Sequence, residues 1–135
     1  MVQIVDASVA IKWFVQEPGT DRALDILGKI IRRPNAFAVP ELFYFELAHV
    51  FKRVIPKPLD KQLNLLNETM NLGLYRFSMT PELLKEIQEL QEIGLSGYDA
   101  SYVGLAKITK GCWLTFDQKA HSIIQHLNLS ELLAS

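Results

Sequence analysis

The sequence predicts an α/β domain in which a short, mostly parallel sheet of four to five strands is flanked by helices. Short apolar runs, which suit buried strands, alternate along the chain with longer segments whose apolar residues recur at helical spacing. This alternation favours parallel strands, because each strand is reached from the previous one through a helix. The 135 residues, 49% of them hydrophobic, suffice for one domain with a substantial core, which we place at residues 1–135.

The predicted strands are apolar runs that end at polar or turn-forming residues. The first run, residues 1–5, ends at Asp6, and the run at residues 112–116 ends at Asp117. The carboxyl ends of parallel strands meet at one edge of a sheet, so we expect both acids to project there. We assign strands to residues 1–5, 37–39, 74–77 and 112–116, with a fifth near 127–129.

Capping residues, prolines and glycines mark the predicted helices. Thr20, Thr80 and Ser96 are suitable N-caps, and Pro81 suits the first helical position after Thr80. Glycines such as Gly111 favour helix C-termini. We assign helices to residues 7–14, 20–33, 41–53, 59–72, 81–94 and 98–110, and a last helix starts at Asp117.

The composition and the apolar runs indicate where in the cell the protein is expected to work. No apolar run reaches the roughly 18 residues that span a membrane, and the N-terminus lacks the basic and apolar regions of a signal peptide. Cys112 is the one cysteine, so no internal disulfide forms. We therefore expect a cytoplasmic protein with no membrane association.

Four carboxylates lie in apolar surroundings, where an ionised group is costly unless it is paired or binds a metal ion. They are Asp6, Glu46, Asp99 and Asp117. The three aspartates each have a structural alternative, because each is placed to cap a helix. Glu46 lies in mid-helix with no Lys or Arg three or four positions away. A pairing with His49, or a solvated gap in the helix, stays open for it.

Together, the four acids indicate a metal site. Clustered carboxylates repel each other, and a hard divalent cation relieves that repulsion. Oxygen ligands suit Mg²⁺ or Mn²⁺ better than Zn²⁺, and phosphodiester hydrolysis is the reaction class that such ions serve best. The net charge of −1 is unlike that of most nucleic-acid-binding domains. If cations neutralised the four acids, however, the 14 Lys and Arg residues would outnumber the other 11 acids by three.

Four motifs, in order along the chain, resemble those of PIN domains and, within them, VapC-type toxins. Each contains one of the four acids in a setting typical of the family, and the resemblance covers essentially the whole chain. In the first motif the acid is followed two residues later by Ser8, and the turn at residues 17–19 commonly follows it. The motifs are residues 5–14 with Asp6, 39–46 with Glu46, 95–102 with Asp99 and 114–117 with Asp117.

The resemblance implies a small Rossmann-like α/β fold and an Mg²⁺- or Mn²⁺-dependent endoribonuclease, the toxin of a type II toxin–antitoxin pair. It also implies an RNA substrate, a homodimer and a VapB-like antitoxin partner in a prokaryotic cytoplasm. Ser8 and Thr115 match the positions of supporting hydroxyls, although Ser8 has local bonding to its own helix as an alternative. The catalytic and metal-binding acids would be Asp6, Glu46, Asp99 and Asp117.

Basic and aromatic side chains are candidates for contacts to RNA. Lys12 and Lys119 are nearest in sequence to the acids and are therefore candidate phosphate contacts. Trp13, Tyr44 and Tyr98 are candidates for stacking on bases, although core packing is the default expectation for each of them. The helices between residues 59 and 93 carry more apolar surface than a thin sheet needs, so we expect part of it to form the dimer interface.

Other classes of protein fit the acids less well. A phosphatase of the haloacid dehalogenase type needs a second acid two residues after the first, where this chain has Ser8. A phospho-accepting receiver domain needs adjacent acids after the first strand and a Lys after a late strand, and the sequence has neither. The principal alternative is a PIN-fold module that binds RNA or protein and has little or no nuclease activity.

Overall fold

Five parallel strands form one sheet in the computed structural model, which describes residues 1–134. The predicted sheet is confirmed, and its strands are all parallel. Its spatial order is β3-β2-β1-β4-β5, which places the first strand at the centre. The strands are β1 (Gln3–Val5), β2 (Phe37–Pro40), β3 (Tyr75–Phe77), β4 (Cys112–Thr115) and β5 (Ser130–Leu132).

Seven helices flank this sheet. None of the helices in residues 1–134 is long and apolar enough to cross a membrane. Two short 3-10 turns, Pro34–Ala36 and Gln125–Leu127, lie just before β2 and shortly before β5. The helices are α1 (Ala7–Ile11), α2 (Thr20–Arg32), α3 (Leu42–Val54), α4 (Leu59–Met70), α5 (Pro81–Glu92), α6 (Gly97–Thr109) and α7 (Gln118–Ile124).

The central strands are buried on both faces. Ile4 and Val5 in β1 are fully buried although they point to opposite faces of the sheet, and Trp113 and Leu114 in β4 are likewise buried. Both faces are therefore covered, as continuous apolar strands require. Helix α6 packs against β1, β2 and β4, and its residues 100–106 are all buried.

Three of the predicted helix starts are confirmed by hydrogen bonds. The Thr80 and Ser96 hydroxyls accept hydrogen bonds from backbone N–H groups at the starts of α5 and α6. Asp117 caps α7 in the same way through the N–H of Ala120. The prediction for Thr20 was wrong, because Gly19 is the N-cap of α2. The Thr20 hydroxyl instead ties the preceding turn together, since it accepts from the Glu17 N–H.

Two other predicted elements differ from the structure by three residues, more than the remaining ones do. The first helix ends at Ile11 rather than near residue 14. The last strand lies at residues 130–132 rather than 127–129. It starts later because Gln125–Leu127 form a 3-10 turn and Asn128 adopts a left-handed conformation with φ of 57°. Pairing with β4 therefore begins with the carbonyl of Leu129, which accepts from the Trp113 N–H.

The direction of strand addition reverses at β1. The chain adds β2 and β3 on one side of β1 and then places β4 and β5 on the other side. Open parallel sheets bind ligands at such a switch point, beyond the carboxyl ends of the strands. Val5 pairs with Leu114 at this end of the sheet. The residues that immediately follow β1 and β4 therefore emerge side by side.

Gly111, between α6 and β4, offers a direct test of this packing. A Cβ atom at Gly111 would lie 2.2 Å from the backbone oxygen of Val2, so strand β1 or β4 would have to move. We expect Gly111→Ala to lower the free energy of unfolding by about 1–3 kcal/mol in urea denaturation.

Gly28→Ala is the matched control, because Gly28 lies within α2 and its nearest neighbour is a flexible Arg32 atom at 3.7 Å. We expect that variant to be more stable than the wild type by about 0.5–1 kcal/mol. Equal stability of the two variants would contradict the close packing at Gly111.

Candidate active site

Asp6 lies at the base of the candidate site, directly after the central strand. It occupies the N-cap position of α1, but its carboxylate accepts no capping hydrogen bond from a backbone N–H of that helix. Instead, its Oδ2 atom accepts hydrogen bonds from the Ser8 hydroxyl at 2.5 Å and the Thr115 hydroxyl at 2.9 Å. The capping alternative for Asp6 is therefore wrong. The side chain is held by two hydroxyls in a position that is only 8% exposed.

The same two hydroxyls also bind the chain that leaves β4. The Ser8 oxygen accepts from the Phe116 N–H at 3.3 Å, and the Thr115 oxygen accepts from the Asp117 N–H at 3.0 Å. Each hydroxyl thus donates to Asp6 and accepts from the backbone next to Asp117. Ser8 and Thr115 fix the position of one acid relative to the backbone of another.

Glu46 is held by a residue that the sequence analysis did not single out. The buried Tyr102 hydroxyl, on α6, donates to Glu46 Oε1 at 2.6 Å. Burial and the charges of Asp6 and Glu46 raise the pKa of Tyr102, so its hydroxyl stays protonated and donates. The sequence signal that could have identified Tyr102 was its position three residues after Asp99, which places the two side chains on the same face of one helix.

Asp99 and Asp117 combine a structural role with a place near the other acids. Asp99 lies in the first turn of α6, where its backbone N–H bonds to Ser96. Asp117 caps α7 through one carboxylate oxygen, Oδ1. Both acids line a groove of about 210 Å³ that Lys119 also borders. The capping alternative is thus confirmed for Asp117, and it leaves the residue accessible at the mouth of the site.

The pKa values show that these acids repel one another. Burial raises the pKa of Asp6 to about 6 against the lowering effect of the Ser8 and Thr115 hydrogen bonds, and the charges of Glu46 and Asp99 raise it further. Burial and the charge of Asp99 raise the pKa of Glu46, which the hydrogen bond from Tyr102 lowers. Burial and the charge of Asp117 raise the pKa of Asp99. We call these four residues the acidic site.

The acidic site is not balanced by a salt bridge within the described chain, although Lys119 lies beside two of its acids. None of the salt bridges in residues 1–134 includes any of its four acids. In the same residues, no three Asp, Glu, His or Cys side chains lie close enough together to hold one metal ion among them. The donor set nevertheless fits Mg²⁺ or Mn²⁺. Mg²⁺ usually retains several water ligands and is bound by only one or two carboxylates.

The two candidate phosphate contacts lie in different environments. The Lys12 ammonium bonds to Glu17 at 2.9 Å and to the Pro18 carbonyl at 2.7 Å, and it lies over the Phe116 ring. Its side chain is only 12% exposed, so it is engaged within the protein. Lys119 is exposed on α7, beside Asp99 and Asp117, and is therefore the better placed of the two for an incoming phosphate.

The family of the chain follows from a comparison with family models. The PIN domain model matches residues 4–124, which include all four acids. The chain belongs to the PIN domain family. PIN domains are generally nucleases.

Solved structures with the same fold are distant in sequence. VapBC2 from Rickettsia felis, bound to a promoter DNA fragment, has a TM-score of 0.75 at 14% identity and covers 98% of both chains. FitAcB from Neisseria gonorrhoeae has a TM-score of 0.69 at 14% identity, covering 92% of this chain and 94% of that one. A toxin–antitoxin complex from Klebsiella pneumoniae has a TM-score of 0.66 at 17% identity, covering 89% and 90%. A search of curated protein sequences gave no match.

The raised pKa of Asp6 predicts a gain of stability when its charge is removed. Folding raises this pKa from 3.8 to about 6. Ionisation of Asp6 therefore destabilises the folded state increasingly as the pH rises from about 4 to about 6, and fully above that range. Stability contributed by the protonated form is lost as the pH rises from the unfolded to the folded pKa. We expect Asp6→Asn to be more stable than the wild type by up to about 3 kcal/mol at about pH 7.5. The difference should fall to about 1 kcal/mol at about pH 4.5.

Urea denaturation in EDTA at the two pH values measures this difference. Asp60→Asn is the control, because it makes the same chemical change at an exposed position in the first turn of α4. Equal stabilities of Asp6→Asn and the wild type at both pH values would show that burial does not raise the pKa of Asp6.

Proposed function

We propose that this protein is a Mg²⁺- or Mn²⁺-dependent endoribonuclease that hydrolyses RNA phosphodiester bonds at the acidic site. The observation that carries the proposal is the gathering of four carboxylates at the switch point of a parallel sheet, where none of them forms a salt bridge within residues 1–134. A group of acids that destabilises the fold is best explained by a bound cation.

Each acid has a distinct task in this proposal. Asp6, fixed by Ser8 and Thr115, supplies a carboxylate with little rotational freedom at the base of the site. Glu46 lies on α3, and the hydrogen bond from Tyr102 keeps its carboxylate in one orientation. Asp99 and Asp117 lie at the mouth, beside Lys119, which attracts the substrate phosphate.

The proposed metal-binding residues are Asp6, Glu46, Asp99 and Asp117, of which one or two would bind the ion directly while the others would bind its water ligands. A divalent ion at such a site lowers the pKa of a bound water and stabilises charge on the attacking and leaving oxygens. The side chains of the protein orient that ion and the substrate. The hydrogen bonds from Ser8, Thr115 and Tyr102 hold two of the carboxylates still, so little reorganisation is needed during the reaction.

We further propose that the protein is the toxin of a type II toxin–antitoxin pair in a prokaryotic cytoplasm and is bound by a VapB-like antitoxin. The support is the near-complete overlap with one chain of VapBC2 and with a chain of a toxin–antitoxin complex. The four-motif resemblance to VapC-type toxins points to the same partner.

A homodimer is part of the proposal. Large apolar side chains are exposed on α4, around β3 and on α5, which belong to the segment where the sequence predicts an interface. Their exposed fractions run from 40% to 71%, and several exposed apolar side chains in one region are typical of an interaction surface. These residues are Leu59, Leu63, Met70, Tyr75, Met79 and Leu84.

The second candidate function is a PIN-fold module that binds RNA or a protein and has little or no nuclease activity. One observation favours it, namely that no three metal-binding side chains in residues 1–134 are close enough to share one ion. This module would bind RNA without cutting it, so catalysis separates the two functions.

The cleavage prediction compares the acids of the site with an acid elsewhere. We expect the wild type to cut single-stranded RNA with Mg²⁺ or Mn²⁺ and not with EDTA. Asp6→Asn and Asp99→Asn, purified identically, should lose about 100-fold or more of this rate, and Asp60→Asn should retain it. Mg²⁺ or Mn²⁺ should also raise the Tm of the wild type more than that of Asp6→Asn.

Each result assigns a function. Cleavage that persists in both site variants would place the activity elsewhere or in a contaminant. A folded protein whose Tm responds to the metal, but which cuts no RNA tested, would favour the binding module.

The dimer prediction is tested by sedimentation at micromolar concentration. We expect a dimer for the wild type and a monomer for Leu63→Glu, because a charge at the centre of an apolar interface costs several kcal/mol. Ile31→Glu is the matched control, since Ile31 is 63% exposed on α2, outside this surface. A monomeric wild type would exclude the homodimer under these conditions.

A further inference from the structure

A groove beside the acidic site has a lining that catalysis by the four acids does not require. It lies between α3 and the start of α6, has a volume of about 360 Å³, and shares Glu46 with the acidic site. This volume is at the small end of the range of roughly 300–1,000 Å³ that ligand sites occupy. The groove is lined by Leu42, Phe45, Glu46, His49, Val50 and Tyr98. We call it the aromatic groove.

Its two aromatic side chains are unusually open to solvent. Phe45 is 73% exposed and Tyr98 is 67% exposed. Large aromatic rings contribute most to stability when they are buried, so two exposed rings in one groove indicate a binding surface rather than packing.

Each ring immediately precedes an acid of the acidic site. Phe45 precedes Glu46 on α3, and Tyr98 precedes Asp99 on α6. Successive helical residues point about 100° apart, because a turn has 3.6 residues. On α3 this separation leaves Phe45 outside, while the half-buried Glu46 bonds to Tyr102. A ligand in the aromatic groove therefore contacts two side chains whose next residues in the sequence, Glu46 and Asp99, are proposed metal ligands.

The other aromatic candidates are engaged within the fold. Trp13 donates its indole N–H to the Ala23 carbonyl. Tyr44 is half-buried and lies under the Arg76 guanidinium at 5.0 Å, and that guanidinium is itself paired with Glu41. Of the three aromatic residues that the sequence offered for stacking, only Tyr98 is exposed, and the structure adds Phe45.

We propose that the aromatic groove holds one unpaired base of single-stranded RNA, stacked against Phe45 and Tyr98, next to the phosphate that is cut. This inference rests on the proposed nuclease function and adds to it a base-binding subsite formed by these two side chains. Unstacked bases bind exposed aromatic rings without a need for positive charge, which suits a groove whose charged member is Glu46. His49 also lines the groove, and its ring nitrogens can hydrogen-bond the edge of a base.

A base fits this groove better than a protein helix does. A docked amphipathic helix needs a groove long enough for anchors at successive turns, at positions i, i+3 or i+4, and i+7. The aromatic groove has two rings and a small volume, which match one flat ligand. The inference has a consequence for selectivity, since a base in a duplex is stacked on its neighbours and cannot enter. Cleavage is therefore directed to unpaired RNA.

The experiment measures RNA binding in the Asp6→Asn background, where the RNA stays intact. The probe is a set of fluorescein-labelled single-stranded 12-mers, read by anisotropy, in which one nucleotide at a time is made abasic. Phe45→Ser and Tyr98→Ser remove the exposed rings without disturbing the core. Ile31→Ser is the control, because it removes a similarly exposed apolar side chain from α2. Cleavage by the otherwise wild-type protein is measured in parallel.

We expect each ring variant to bind the intact 12-mer about tenfold more weakly, as loss of a base–aromatic stack does. Ile31→Ser should bind it like the parent. One abasic position should weaken binding by the parent similarly, and should have little further effect in Phe45→Ser or Tyr98→Ser. If the abasic position and the ring substitution together weaken binding little more than either does alone, the missing base is the ligand of the rings.

Three results would overturn the inference. If both ring variants bind like the parent while the wild type still cuts RNA, the base site is wrong and the nuclease stands. If they bind RNA normally but change the sedimentation coefficient, the groove is covered by a second copy of the chain. If no 12-mer is bound and none is cut, the inference and the proposed function fail together.

Discussion

The buried carboxylate of Asp6 is the constraint on which the geometry of the site depends. An ionised group at 8% exposure needs hydrogen-bond donors, and here the donors are two hydroxyls rather than a cation. Because Ser8 and Thr115 also accept from the backbone of Phe116 and Asp117, satisfying Asp6 fixes the path of the chain beyond β4. The start of α7, and the cap that Asp117 provides for it, follow from that path.

The positions of the acids were predictable because strand ends obey simple geometry. Once residues near 1–5 and 112–116 were identified as parallel strands, Asp6 and Asp117 had to emerge at one edge. The apolar context around Glu46 and Asp99 marked them as exceptions in buried helices. Local pattern therefore predicted the parallel sheet, apart from the position of its last strand, and predicted which acids lie near one another, although not their separations.

The partners of the acids depend on packing that no local pattern encodes. The Tyr102 side chain on α6 reaches Glu46 on α3, although the two residues are 56 positions apart in sequence. Its ring stacks on Trp113 at 6.0 Å, so the same side chain joins β4 to the site. Similarly, the engagement of Lys12 depends on the turn at Glu17 and Pro18, which brings a carboxylate and a carbonyl to its ammonium. The closeness of Lys12 to Asp6 in the sequence therefore did not indicate whether its ammonium is free to contact a phosphate.

Helix capping and site membership turned out to be compatible rather than competing interpretations. Asp117 caps α7 with one oxygen and still borders the groove at the mouth of the acidic site. The hydrogen bond from α7 thereby holds the Asp117 carboxylate in place without another side chain. Asp6 differs because it stands at a helix start without capping it. The geometry of the hydrogen bonds, which the sequence does not contain, separates these two cases.

The long sequence distance within the site has a consequence for biosynthesis. The hydrogen bond between Asp6 and Thr115 joins residues 109 positions apart. Proteins emerge from the ribosome N-terminus first, and contacts between distant residues form late because they close long loops. Asp6 therefore leaves the ribosome long before the strand that orients it. A nascent chain cannot assemble the acidic site until β4 has been made, so Asp6 stays without its Thr115 donor, and apart from Asp117, while the intervening residues are synthesised.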